Sequence, residues 1–326
     1  MKTIINNSLD ASFWFALEEY VMKTEKFCDE YFLFWNTVPT LMIGRFQNTL
    51  QEINADFVRN NNMQVIRRNS GGGTIYTDPA TWQFSFITWK QQGEAKDFKE
   101  FTKPVIEALQ QLGVPAEFNN RNDILAGGKK FSGNAQFSMK DRFLHHGSIL
   151  FDTNLDNLVL ALHVDDEKFI SKGIKSVRER VTNIKPFVHN ATMSSVDFSL
   201  KMRELLAADF EEEILDEHDV LEIEKIRVSK FQSWDWNYGH SPEYNLKKWH
   251  RFEGGKVEVQ LMVKHGVISH CNIQGDFFSH SDMQMLCDAF AGCRHTPEDV
   301  NRVLLHSFHE GSIYKVSREE LAGLFF

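Results

Sequence analysis

Residues 66–84 read IRRNSGGGTIYTDPATWQF. Two arginines lead into three consecutive glycines, an aspartate follows, and an apolar run begins straight after it. The chain has 19 glycines in 326 residues, so three in a row ask for a reason. QVIRRNS before them reads as a strand and TWQFSFITW after them as another, so the glycines join strand to strand. Backbone without Cβ atoms can take positive φ and turn its N–H groups toward one point, as main-chain binding of a phosphate or adenylate requires. The known nucleotide loops have other spacings. There is no GxxxxGK[ST], AGGKKFSG (126–133) fails that spacing, and no GxGxxG opens a helix here. Taken alone, the glycines fit a structural turn as well as an anion site. Arg67 and Arg68 fit either a solvated pair or a carboxylate clamp.

Working outward, Ser8 or Asp10 can cap a helix through about Met22, with Phe13, Leu17 and Tyr20 on one stripe. YFLFWN (31–36) and TLMIG (40–44) read as buried strands, and NADFVRNNN as a short helix ended by asparagines. The spacing predicts an amphipathic helix over 97–112, stopped by Gly113. HHGSILFD (145–152) is strand-like, further helices are expected near 154–162 and 194–210, and 170–184 reads as a basic loop. Gly, Pro and aromatic residues cluster at 234–245, after which VEVQLMVKHGVISHCNIQGDF reads as a hairpin turning at Lys264–Gly266, with helices near 281–290 and 296–307 behind it. A boundary near 240–246 divides the chain into domains 1–243 and 246–326, with the second expected to fold by itself.

Composition bounds the setting. A chain of this length suits a large domain and a smaller one, and 42% hydrophobic residues is ordinary for a globular protein. A net charge of −9 argues against a general nucleic-acid binder. Cys28, Cys271, Cys287 and Cys293 form no CxxC pair, which favours reduced thiols. No signal-peptide pattern or membrane-length apolar run is present, so a cytoplasmic protein with no membrane partner is expected.

Two more clusters bear on chemistry. RNDILAGGKKFSGNAQ (121–136) places Asn122 and Asp123 before Lys130 and a Ser-Gly turn. Asn122 and Asp123 offer hard oxygens of the kind that hold Mg²⁺ on phosphates, or simply a turn. Lys130 is a point charge that can sit on an α-phosphate. In FLHHGSILFD, His145 and His146 have no further ligand at zinc spacing, which favours core or edge roles.

In this order and spacing, the three clusters resemble the lipoate–protein ligase A family. The resemblance begins at ALEEY (16–20) and runs through IGRFQN (43–48) and EIN (52–54). RRNSGGGTIYTD (67–78) is similar to the family's RRxSGGGxVxHD, RNDILAGGKKFSGNA to RNDL…KxSGxA, and HHGSILF to HHGTLL. KGIKSVRERVTN (172–183) resembles the adenylate-covering loop, and the aromatic cluster at 234–242 the junction to an accessory domain. The resemblance implies a mixed α/β (α+β) catalytic domain with two β-sheets flanked by helices, akin to biotin ligases, and a small C-terminal α/β domain. It implies an enzyme that forms lipoyl-AMP from lipoate and ATP, then passes the lipoyl group to a lysine of a lipoyl-carrier domain, such as a glycine-cleavage H-type protein or a 2-oxoacid dehydrogenase E2. Lys130 would be the catalytic lysine. Gly71, Gly72 and Gly73 would approach the acyl-adenylate by backbone, with Ser70 in the same loop and Arg68 and Arg45 at the lipoyl pocket. Ile75 and Tyr76 would line the adenine side, Asn122 and Asp123 would serve Mg²⁺, and Gly133, Ala135, His146 and Ser148 would complete the wall.

The chain departs from the family where Thr77 replaces the signature histidine and Pro79-Ala80-Thr81 the usual LGN. That exchange would put hydroxyls in place of an imidazole and an amide beside the adenylate, with weaker activation of free lipoate as the expected result. Three alternatives stand against a ligase: an acyl transferase between carriers, a biotin ligase, and a non-catalytic binder of lipoyl-AMP or carrier. The transferases use a cysteine thioester, whereas residues 29–270 contain no cysteine. A biotin ligase's GRGRRG-like loop is absent.

Overall fold

The nine residues Thr81–Trp89 alternate β-branched and aromatic side chains with small polar ones, a pattern that suits a strand covered on both faces. In the computed structural model, which describes residues 1–90, 97–119, 122–162, 179–279 and 281–326, this strand is central to an eight-stranded sheet. It lies antiparallel between Tyr31–Trp35 and Arg142–Leu150. Outward from Arg142–Leu150 come Lys129–Met139, Asp123–Ala126 and Ala116–Phe118; beyond Tyr31–Trp35 come Lys2–Thr3 and Glu211–Glu212. Successive side chains take opposite faces. Phe32, Phe34, Trp82, Phe84, Phe86 and Phe143 therefore share a core with the helices Phe98–Gln111 and Ser195–Ala207. Trp35, Gln83, Ser85, His146 and Ser148 lie at the alternate positions.

The Ala11–Lys23 helix packs there, capped by Asp10, whose carboxylate accepts from the Ser12 N–H. The sequence shows one apolar stripe, but Trp14–Met22 is buried without a break, Glu18 and Glu19 included. A helix covered all round is a core element rather than a surface one. Trp14 stacks on Trp35 with ring centroids 5.3 Å apart.

A second sheet of three strands, Gln64–Arg67, Thr40–Ile43 and Ile75–Thr77, carries the glycine loop between its first and last members. Gly113 ends the Phe98–Gln111 helix at φ +95°, where a Cβ would also sit 2.7 Å from the His189 ring. The pair Gly127–Gly128 forms the turn between Asp123–Ala126 and Lys129–Met139, with φ of +57° and +76°. Both positive angles match a two-residue hairpin turn. The Ser-Gly turn expected after Lys130 is instead part of the strand Lys129–Met139, and the bend lies ahead of the lysine at Gly127–Gly128.

Contacts divide the chain into two units, Met1–Arg45 with Glu52–Ser233 and Phe46–Gln51 with Trp234–Phe326. The second unit thus starts ahead of the 240–246 boundary and takes a short segment from far upstream. Within it, the Thr49 N–H donates to Ser241 Oγ at 3.2 Å and its hydroxyl to the Asn237 carbonyl at 2.5 Å. The expected hairpin is Gly255–Lys264 and Val267–Gly275, turning at His265–Gly266, and Tyr244–Phe252 adds a third strand. Val257, Val259, Leu261 and Ile273 face a core closed by Leu286, Phe290, Val300 and Leu304 of the following helices. Cys271 and Cys287 are buried there, Cys28 is exposed, and all four thiols are free. Among the described residues, no helix is long and apolar enough to cross a membrane.

Candidate active site

Strand register builds the wall of a cavity. Trp35 pairs with Gln83, which pairs with Ser148 on its other side. His146 pairs with Ala135. Phe15 from the first helix, Met42 and Ile75 add apolar surface, and Arg68, Gly72, Gly73 and Thr74 close the side opposite the large sheet. The cavity encloses about 650 Å³ of empty space, solvent at its mouth included.

The two arginines before the glycines are neither solvated nor free to clamp a carboxylate. Arg67 is fully buried and donates to the Gly44 and Arg45 carbonyls, both at 3.0 Å. Arg68 donates through Nε to Ser70 Oγ at 3.1 Å, through Nη1 to the Met42 carbonyl at 2.7 Å, and through Nη2 to the Gly71 and Gly73 carbonyls at 2.8 Å. Burial lowers its pKa to about 10, so the group stays charged at neutral pH. A guanidinium whose N–H groups are committed to carbonyls fixes the loop's shape. It also occupies those carbonyls, so they are not competing acceptors beside the cavity. Gly72 has φ +95°, and a Cβ there would lie 3.0 Å from Arg68 Nη2.

Lys130 reaches the cavity because its strand is irregular. Leu125 pairs with Lys130 but Ile124 with Ser132, so Phe131 is an extra residue, and it is fully buried. Such a bulge re-aims its neighbours. The Lys130 ammonium stands 2.7 Å from Asp123 Oδ1, and a Cβ on Gly133 would come within 3.0 Å of that nitrogen. Val181 bridges the Lys130 backbone, and Thr182 N donates to its carbonyl at 2.9 Å. The end of the basic loop read at 170–184 therefore lies against this lysine; residues 163–178 are outside the described residues.

Of the residues singled out from sequence, Lys130, Arg68, Gly72, Gly73, Ile75, Asn122, Gly133, Ala135, His146 and Ser148 line the cavity. Arg45, Ser70, Gly71, Tyr76, Thr77 and Asp123 do not. Arg45 stacks its guanidinium over Phe137 at 5.6 Å. Ser70 is buried behind the wall, its hydroxyl 2.6 Å from His146 Nε2. His146 Nδ1 is 3.4 Å from Glu18 Oε1, which also accepts from Ser85 at 2.6 Å. Tyr76 is buried with its hydroxyl accepting from Asn157 at 3.4 Å. Asp123 holds Lys130 and accepts from Asn119 Nδ2 at 3.2 Å, while Asn122 Nδ2 donates to the Asn134 carbonyl at 3.0 Å. Among the described residues no three His, Cys, Asp or Glu side chains gather to hold a metal. One carboxylate and one amide oxygen suit Mg²⁺ only where it arrives on phosphates.

Sequence reasoning missed Met42, Gln83, Asn134, Gly147 and the buried Glu18. The available signals were a glutamine inside an apolar strand and paired glutamates in a helix otherwise rich in core residues. A Cβ on Gly147 would lie 2.2 Å from Asn134 Oδ1. Asn134 in turn meets His145 Nε2 at 3.2 Å, and His145 stacks on Phe101 at 4.8 Å. Burial pushes His145 down to about 3, so it is neutral in the fold. The unfolded chain binds that proton below about 6.5, so folding stability should fall as pH drops from 6.5 toward 3, by up to about 1.4 kcal/mol per pH unit. Urea unfolding of the protein and of His145→Gln at pH 7 and 5 checks this; the variant's pH slope should be shallower by nearly that amount.

Thr77 is fully buried, and its hydroxyl lies 2.7 Å from Thr37 Oγ1. Thr81 likewise bonds Asp78 and Thr153, at 3.1 and 2.7 Å. Thr77 and Thr81 thus sit in buried polar seams between elements, Pro79 is exposed and Ala80 half-buried, and Thr77 does not line the cavity. Thr77→His should overpack this position and lower stability by about 1–3 kcal/mol, without faster activation. Thermal melts and pyrophosphate release of the variant test both halves.

The model of the lipoyl protein ligase A/B catalytic domain matches residues 10–206, and that of the bacterial lipoate protein ligase C-terminus matches 241–325. Lipoate–protein ligase 1 of Staphylococcus aureus is 40% identical over 93% of each chain. The fold is similar to that of the bi-partite lipoate protein ligase of an archaeal lipoylation system from Thermoplasma acidophilum, with TM-score 0.64, 25% identity, and coverage of 74% of this chain and 98% of that one. It is similar also to a lipoate-protein ligase A bound with ATP, with TM-score 0.61, 26% identity, and coverage of 73% and 98%. On the matched residues and the extent of this identity, the chain belongs to the lipoyl protein ligase A/B catalytic-domain family.

Proposed function

We propose that this ATP-dependent lipoate–protein ligase performs its chemistry in the cavity between the glycine loop and the large sheet, with Lys130 as the catalytic group. Lipoate's apolar chain lies against Phe15, Trp35, Met42 and Ile75, where each buried methylene contributes about 0.8 kcal/mol. Its carboxylate then meets Lys130 at the cavity wall. A carboxylate oxygen attacks the α-phosphorus of ATP, the bond to the bridging oxygen breaks, and pyrophosphate leaves. Two anions converge in that step, so fixed positive charge acts most strongly on its transition state. The N–H groups of Gly72 and Gly73, in a loop whose Gly71 and Gly73 carbonyls are held by Arg68, receive the acyl-adenylate. Mg²⁺ held by Asn122 and Asp123 would spread the charge of the phosphates.

In the second step a neutral lysine amine of a lipoyl-carrier domain attacks the acyl carbon, AMP leaves, and the amine loses a proton. The Thermoplasma ligase, described together with its E2 lipoyl domain, supports an acceptor of that kind. The absence of cysteine between residues 29 and 270 supports direct transfer over a thioester. The observation that carries this reading is the Lys130 ammonium, poised over bare Gly133 in an apolar-walled cavity. The test is lipoate-dependent pyrophosphate release from ATP and Mg²⁺ by the full chain, with lipoyl-AMP identified by mass. A folded protein that releases none would overturn it.

A further inference from the structure

The glycine loop is held at its start by charged groups that do not line the cavity. Glu19 is 2% exposed, and its carboxylate accepts from Lys230 Nζ at 2.5 Å, from Asn69 Nδ2 at 3.0 Å, and from Lys23. Lys230 Nζ also donates to Asn69 Oδ1 at 2.7 Å. The three side chains close a ring: the Asn69 amide gives to Glu19 and takes from Lys230, so its orientation is fixed at both ends. Asn69 is itself buried and stands between Arg68, the clamp of the loop, and Ser70, whose carbonyl accepts from Arg45 N at 2.9 Å.

Lys230 comes from an unusual place. It belongs to Arg227–Phe231, a stretch wound as π-helix that follows the Glu217–Ile226 helix. Such widened turns are rare and collect at functional sites. Its neighbour Phe231 packs on the cavity residue Phe15, ring centroids 5.8 Å apart. The chain passes into the second unit after Ser233, three residues on, and also after Arg45. Both departures are therefore fastened to the same loop, one through Lys230 and Asn69, the other through Arg45, Arg67 and Ser70.

We propose that Lys230 is a positioning residue that holds the glycine loop in its ligand-accepting form through the Glu19–Asn69 ring. The loop's shape then depends on the segment that leads into the second unit. The Glu19 carboxylate holds the Asn69 amide by its N–H side and Lys230 holds it by its oxygen. Remove the lysine and the amide keeps one anchor of two, which loosens the peptide between Arg68 and Gly71. Nothing else in the ring can replace it, since Lys23 reaches the other oxygen of Glu19.

Amide hydrogen exchange on the full chain without substrate tests this, and it is independent of the ligase reading. Lys230→Met should speed exchange in the peptide covering residues 66–76 by about tenfold or more, as expected when local opening becomes easier. Lys225→Met, which removes only an exposed pair with Glu222, should leave it unchanged. Because Lys230→Met leaves the buried Glu19 carboxylate paired with Lys23, Glu19→Gln/Lys230→Met is measured beside it; it removes both charges of the pair and should still show the faster loop. Lys230→Arg should restore slow exchange. In pyrophosphate release, the double variant should raise the lipoate KM about tenfold with a smaller change in kcat, the split expected when binding geometry rather than the reacting charge is disturbed. A folded double variant with parental exchange in residues 66–76 overturns the proposal, whatever its activity. Parental protein without pyrophosphate release would instead overturn the function above.

Discussion

Lys130→Ala is expected to lower lipoate-dependent pyrophosphate release by about 100- to 1,000-fold, the scale on which loss of one preorganised charge at a transition state is felt. The fold should survive, because the side chain is 42% exposed and packs no core. Removal leaves Asp123 with its hydrogen bond from Asn119. The same change at Lys129, an exposed strand residue beside the hairpin turn, should cost little activity. Pyrophosphate assays on both variants, with melting curves beside them, decide the point. A dead Lys129→Ala and an active Lys130→Ala would shift the catalytic role by one residue.

Arg68→Ala should be as damaging by a different route. It removes four hydrogen bonds and leaves the buried Met42 carbonyl, and the partly buried Gly71 and Gly73 carbonyls, without this donor. Each orphaned group costs about 1–3 kcal/mol, and water entering the new space recovers part of that, so a net loss of about 3–5 kcal/mol is expected. Lipoate activation should fall with it, because the loop loses the group that fixes its shape. Arg68→Lys is expected to resemble alanine more than arginine, since an ammonium cannot span carbonyls on both sides of the loop. Urea midpoints and pyrophosphate release for the two variants test this. Lysine behaving like the parent would mean the fork geometry is unimportant.

The cavity wall was legible where a few neighbouring residues form it. Lys130, Gly133 and the glycines announce themselves by type and spacing, and most of the helices by caps and periodicity. What stayed hidden depends on distant partners. Nothing local says that Arg67 and Arg68 donate to backbone carbonyls rather than to water or a ligand, because their acceptors lie in the Thr40–Ile43 strand, the loop after it and the turn ahead. The hairpin at Gly127–Gly128 is hard to read because Asp123–Ala126 is only 4 residues long and Lys129–Met139 carries a bulge opposite it. Glu18 and Glu19 look like a solvent face until their helix is covered on every side. Thr77 reads as part of the site because the motif runs through it, yet a strand alternates and turns it toward Thr37.

The assignment of Phe46–Gln51 to the second unit bears on how such a gene could be divided. A fission after Ser233 would not give two self-sufficient polypeptides. The longer product would carry a six-residue remnant of the other's fold, and the shorter would lack it. The longer product would hold the piece that the shorter one lacks, so a split lineage would inherit a one-way complement from the way the unbroken chain was threaded.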